Sequence, residues 1–294
     1  MVESTIPVDL RNPGQVFACL GLMEAAEALG FAEVEGGFNY AGDETQTSFT
    51  VAAQGHAEPV AAIIDFLASA TTVARAPAHS KLSADKWNVV TETEKPPTYP
   101  GPIPDSPATL AVSLRADGLE LFLEHWLDGD ATGRDNIKLW AGSGGYPGAA
   151  LARDALDNVA KLGDNARGAA AADPFAVSAR MSSSFRFDWR RDYIPLDAGF
   201  SPNIHGNMTM IGYPLVEILA ALGLQNARPS RVERRDKLAY RYGVSSQRLP
   251  LVLARAMLGG EGLGFPIRLF RMRLGWPGQE GQARCIIDAS EEAA

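Results

Sequence analysis

The side chains best suited to chemistry in this sequence are guanidinium groups. Arg190, Arg191, Arg228, Arg231, Arg234, Arg235, Lys237, Arg241, Arg268, Arg271 and Arg273 recur between residues 190 and 273. A guanidinium donates two parallel hydrogen bonds to a phosphate, a geometry an ammonium lacks. Trp189, Tyr193, Tyr240 and Tyr242 are interleaved with them, and aromatic faces stack on unpaired bases. The chemistry implied is neutralisation of a polyanion, with Arg190, Arg191, Arg231, Arg234, Arg235, Lys237, Arg241, Arg268, Arg271 and Arg273 as candidate phosphate contacts. In the SPNIHGN loop, Asn203, His205 and Asn207 are candidate base contacts, because amides read base edges. An alternative reading is a solvated, arginine-rich surface, with Phe185 and Phe187 as ordinary core residues.

Charge is segregated along the chain. Of its 294 residues, 1–133 hold 6 Lys+Arg against 19 Asp+Glu, while 180–275 hold 15 basic against 7 acidic, 14 of the basic being Arg. The overall formal charge is −8. So many cations within an acidic protein repel one another unless acids or a polyanion offset them.

Other chemistries find little support. His56, His79, His125 and His205 show no helical or alternating pairing, and no HExxH occurs. Cys19 and Cys285 lack metal-ligand spacing and give no disulfide framework. Asp128 and Asp130 in LDGDATG lack the remaining positions of a calcium loop. NPGQ (12–15) has one glycine where a dinucleotide fingerprint needs three. AGSGGYPG (141–148) is the better glycine loop, since it lies between a predicted strand and helix where an anion could sit, but it completes no fingerprint and a plain flexible turn is the favoured reading. No catalytic residue, metal or cofactor is expected. No apolar run approaches the ~20 residues that span a bilayer. The opening MVESTIPVDL lacks the basic and apolar regions of a secretory signal, so a cytoplasmic location is expected.

The elements that must position the arginines follow from periodicity. A short strand is predicted over 5–10. Asn12, Pro13 and Gly30 frame a helix with one buried face, carried by Val16, Phe17, Leu20, Met23, Ala26 and Leu29. Residues 38–53 read as a hairpin turning at Gly42-Asp43, and 58–70 as a second helix. Strands are predicted at 109–115 and 136–142, and a helix from Pro147 to Leu162. Residues 163–174 read as a small, polar loop. SSFRFDW (183–189) alternates, with Phe185, Phe187 and Trp189 on one side. A helix is predicted over 213–224, with arginine-studded strands at 238–242 and 266–274 and an apolar segment at 247–258.

The pattern predicts an α+β fold with a mixed, largely antiparallel sheet and packed helices. QVFACLGL (15–22) and EILAALGL (217–224) match residue for residue in type, which fits a duplicated ferredoxin-like (RRM-like) unit; chance likeness of two leucine-rich helices is the alternative. KPPTYPGPIPDSP (95–107) holds six prolines, which no helix or central strand tolerates. The expected organisation is an acidic α+β part over 1–94, a linker or surface loop over 95–108, and an arginine-rich α+β part over 109–294 that can join the first in one domain.

Several segments together resemble the small large-subunit-type proteins of type I-U (I-G) CRISPR effector complexes. They are IPVDLRNPGQVFACLGLMEAAEAL (6–29), KLWAGSGG (138–145), PLDAGFSPN (195–203) and YPLVEILAALGLQNARP (213–229). The resemblance implies a non-catalytic subunit of an RNA-guided surveillance complex of the Cascade type. Its partners would be the other effector subunits, guide RNA, target DNA and the helicase-nuclease, with no membrane partner. Such a subunit would help recognise the protospacer-adjacent motif and recruit the nuclease. Two other readings stay open: a guide-RNA-processing nuclease with a histidine acid or base, and a purely architectural subunit.

Overall fold

Asn12 and Pro13 open a helix whose residues from Pro13 to Ala26 are all buried. The sequence suggested one buried face; a helix enclosed on every side must instead be apolar all round. Its polar exceptions have partners. Gln15 accepts Asp9 N–H at 2.7 Å, and Glu24 accepts Arg255 Nε at 2.7 Å and Asn226 Nδ2 at 2.9 Å.

The structure, a computed structural model, describes residues 1–40, 46–94, 104–123, 146–181, 183–191, 210–260, 262–275 and 284–292. In chain order the elements are β1 (Val2–Pro7), α1 (Pro13–Ala28), β2 (Ala32–Asn39), β3 (Ser48–Gln54), α2 (Pro59–Ser69), β4 (Thr71–Ala76), β5 (Val90–Thr93), β6 (Ala111–Ala116), β7 (Leu119–Leu123), α3 (Gly148–Val159), α4 (Asp164–Ala172), β8 (Ala179–Met181), β9 (Met210–Gly212), α5 (Pro214–Gly223), β10 (Ser230–Arg231), β11 (Ala239–Val244), β12 (Leu249–Pro250), α6 (Leu251–Leu258), β13 (Arg268–Gly275) and β14 (Cys285–Glu291). The fold is α+β. Among the described residues the strands form four sheets, ordered β1-β3-β2-β12, β5-β4-β6-β7, β8-β9 and β10-β11-β13-β14, none closed into a barrel. All pairs are antiparallel except β4 with β5.

The two echoing helices meet in space. A Cβ placed on Gly21 of α1 would collide with Leu219 O, and one on Gly223 of α5 with Phe17 O. Positions 21 and 223 are equivalent in the echo, as are 17 and 219, so the contact is reciprocal, as in a two-fold interface. Only glycine lets the backbones approach this closely. The strand orders of the two main sheets differ, so the likeness is one of the helices.

Backbone pairing crosses the proline-rich stretch, because β4 pairs with β6 and β12 with β2. One apolar core draws on residues from Ile6 to Ile286.

Two local expectations fail. Residues 163–174 contain the helix α4; its alanine run is the strongest helix former available, and Asp164 in the first turn complements the dipole. The 183–189 segment is not a strand. Phe185 and Phe187 are buried, but Arg186 has φ of 69°, which breaks the alternation and leaves Trp189 43% exposed.

Candidate nucleic-acid interface

Alternation along β11 and β13 separates aromatics from arginines. Tyr240, Tyr242, Phe270 and Met272 are all at most 1% exposed. Tyr242 stacks on Phe270 with centroids 5.3 Å apart and donates its hydroxyl to Leu10 O at 2.8 Å. Tyr240 and Tyr242 are therefore core residues, and stacking on a base is not open to them. With that face fixed inward, Arg241, Arg271 and Arg273 must project from the other.

The register brings these three together. Arg241 lies directly opposite Arg271, and Arg273 is opposite Ala239. Across the sheet, Ser230 faces Arg241, and Ser290 and Asp288 face Arg271 and Arg273. Like charges directly opposite on a sheet are destabilising. Arg241 is offset by Glu292, whose carboxylate lies 3.0 Å from its Nη2; that hydrogen bond also holds the Arg241 guanidinium above its ordinary pKa. Arg271 and Arg273 make no ion pair among the described residues.

β10 ends at Arg231, and its connection to β11 adds Arg234, Arg235 and Lys237. Arg234 and Arg235 are exposed, and Arg231 Nη1 donates to Arg234 O at 2.8 Å. This connection joins the sheet at its Arg273 end: Leu274 N–H donates to Leu238 O at 2.7 Å, and Arg284 Nη1 to Lys237 O at 3.2 Å. Glu233 and Asp236 lie in the same connection and temper its charge.

Other predicted contacts are engaged elsewhere. Arg268 stands on the Phe270 side of β13, ion-paired with Glu291 at 2.5 Å and stacked over Tyr40 at 4.8 Å. Arg190 grips the fully buried Asp188 at 2.6 Å, donates to Phe175 O at 2.8 Å and lies 3.9 Å over the Tyr213 ring. Arg191 points toward Met210, with Nη2 4.0 Å from its sulfur. Asn203, His205 and Asn207 lie outside the described residues, as do His125, His205, Asp128, Asp130, the Gly42-Asp43 turn, the 136–142 strand and the glycines of the 141–145 loop. His56 and His79 are exposed.

Sequence reasoning missed a buried polar cluster beside the crossing helices. Glu217 on α5 is fully buried and accepts Phe187 N–H at 3.1 Å and Asp188 N–H at 3.2 Å. Burial pushes its carboxyl up to about 7. Asp188 also accepts Asn12 Nδ2 at 2.9 Å. The echo held a usable signal: Gln15 and Glu217 occupy its equivalent first position, a polar residue opening an otherwise apolar octet.

Among the described residues no three His, Cys, Asp or Glu side chains are placed to hold a metal ion. No described helix is long and apolar enough to cross a membrane. Searches with family models, curated proteins and solved structures find no match to the chain.

Proposed function

We propose that this protein is a non-catalytic, nucleic-acid-contacting subunit of an RNA-guided CRISPR effector complex of the Cascade type, in the role of the small large subunit of type I-U (I-G) systems. The observation that carries the nucleic-acid part is the directly opposed Arg241–Arg271 pair, with Arg273 two residues on, on the solvent face of an antiparallel sheet. The effector-complex part rests on the sequence resemblance.

The face contacts backbone. It offers guanidinium groups and serines beside the carboxylates of Asp288 and Glu292, and its neighbouring tyrosines are turned into the core. Phosphate contacts position a polynucleotide without carrying sequence information. In an RNA-guided complex most of the sequence is read by base pairing, which leaves the protein to hold the backbone and read a short adjacent motif; the handling of that motif in another effector class follows the same division. The acidic first part of the chain would then face partner subunits, and recruitment of the helicase-nuclease would follow from the same role.

The test is binding of the full chain to single- and double-stranded oligonucleotides by fluorescence anisotropy across a salt series. The double variant Arg271→Glu, Arg273→Glu should weaken binding at least tenfold. Its salt slope should flatten by about 1.4–1.8, the value for two lost phosphate contacts. An unchanged slope would remove the face from the interface.

A further inference from the structure

The aromatics interleaved with the arginines differ in exposure. Tyr240 and Tyr242 are core residues, whereas Trp189 is 43% exposed. Trp189 sits at the tip of a tight turn. Arg191 N–H donates to Asp188 O at 3.4 Å, and the Asp188 carboxylate accepts Arg190 N–H at 2.9 Å. Small and polar residues suit the tip of such an aspartate-capped turn. A tryptophan there leaves a large apolar surface in water, and large aromatics held in that way are enriched at binding surfaces.

The turn is fixed from several directions. Asp188 is fully buried and accepts Asn12 Nδ2 at 2.9 Å and Arg190 Nη2 at 2.6 Å. Glu217 accepts Phe187 N–H at 3.1 Å and Asp188 N–H at 3.2 Å. Phe185 and Phe187 lie in the core with ring centroids 5.6 Å apart. On the other side, the Arg190 guanidinium lies 3.9 Å over Tyr213 and donates to Phe175 O at 2.8 Å. The backbone at Trp189 is therefore held on both sides while its side chain stays accessible. An anchor ordered in advance loses little freedom on binding.

The turn is also tied to the cationic sheet. Arg186 O accepts Ile286 N–H at 3.3 Å. Ile286 pairs with Leu274, the residue after Arg273. Three residues of chain take Trp189 at most about 11 Å from Arg186, and two strand spacings put Arg186 about 10 Å from Leu274. Trp189 thus lies within about 25 Å of Arg273, which a nucleic-acid strand covers in roughly seven nucleotides at a rise of ~3.4 Å. Footprints of about 4–16 nucleotides are usual for single-strand-binding domains.

We infer that Trp189 stacks on an unpaired base of the polynucleotide whose backbone crosses the β11–β13 face, so that the ligand is single-stranded at this point. The inference rests on the reading of that face given above. Every base has a π-face, so the contact selects single strands over duplex without selecting sequence. Single-strand binders combine charge along the backbone with rings for the bases; here Arg241, Arg271 and Arg273 supply the charge. A protein partner would also accept a tryptophan, but the cationic sheet beside the turn favours the polyanion.

The experiment is fluorescence anisotropy of the full chain with a labelled deoxythymidine oligomer and with an abasic oligomer of equal length, which keeps the phosphates and lacks the bases. Wild type should prefer the base-bearing strand by about fivefold or more, the low end for one base stack. Trp189→Ala should erase that preference and leave abasic affinity and both salt slopes unchanged. Trp189→Phe, which keeps a ring, should retain most of it. Should Trp189→Ala not fold, Trp189→Leu should show the same loss. Arg271→Glu with Arg273→Glu should weaken both strands, flatten the slope and keep the preference. An unaltered slope in that variant, with the preference still lost in Trp189→Ala, sinks the sheet-face reading and leaves the stacking standing; the reverse pattern sinks the stacking alone. Equal affinity of wild type for the two oligomers, or equal loss on both in Trp189→Ala, overturns the inference. No change on either strand in Trp189→Ala overturns it in favour of a protein partner.

Discussion

The β1–β3–β2 sheet and the β11–β13–β14 sheet follow the same rule of alternation and end with opposite surfaces. Inward, Ile6, Val51 and Phe38 of the first correspond in role to Tyr242, Phe270 and Met272 of the second, all buried. Outward, the first carries Glu3 and Glu35 with Thr5 and Thr50, whose hydroxyls bond at 2.9 Å, and Arg248 reaches Glu3 at 2.6 Å. The second carries Arg241, Arg271 and Arg273. Packing constrains the inner faces, whereas solvent leaves the outer faces free to diverge. The difference teaches that packing holds the inner faces alike and that function must be sought in what the outer faces do not share.

The largest expected effect breaks the shared scaffold. Gly21→Val and Gly223→Val each drive a side chain into the backbone of the other helix, and each should destabilise by about 3 kcal/mol or more in urea melts. Similar losses would confirm the reciprocal crossing; sensitivity at one glycine alone would break it.

Next comes the difference between the equivalent positions 15 and 217. Glu217 has its folded-state pKa raised from 4.5 to about 7. Its neutral form is thus favoured by folding, and the associated stability is full below about pH 4.5 and lost as pH rises through 7. The loss is of order 3 kcal/mol. Glu217→Gln should abolish that part of the pH dependence, measured by urea melts from pH 4.5 to 8. Matching profiles for wild type and variant would contradict the assignment.

Much of this was legible from residue types. The proline-flanked helices, the alternating arginine strands and the echo followed from period and punctuation, since these are local rules. What was not legible depended on long-range geometry. Tyr240 and Tyr242 alternate with arginine in either case; which face met the core was decided by α1, whose Phe17 meets Tyr242 edge-on at 5.8 Å. The carboxylates that hold Arg268, Arg241 and Arg190 come partly from a distant strand end and partly from two residues away, and no spacing rule announces such pairs. Trp189 left its expected side because one residue, Arg186, adopts a left-handed conformation.

The smallest expected effect is at the first sheet. Glu3→Gln with Glu35→Gln should leave oligonucleotide affinity unchanged within twofold at moderate salt, where separated surface charges are screened. A marked gain in affinity would mean that the acidic face had been repelling the same ligand.

The most direct measurement compares the two outer faces by tethering. Cys19 and Cys285 are buried, so a single new surface cysteine can report on its own position. Ser290→Cys, opposite Arg271, and Thr50→Cys, opposite Thr5, would each be offered an oligonucleotide bearing a thiol-reactive group on its phosphate backbone. The account predicts efficient crosslinking at position 290 that falls with added salt, and background crosslinking at position 50. Equal yields at both positions, or a higher yield at 50, would contradict it.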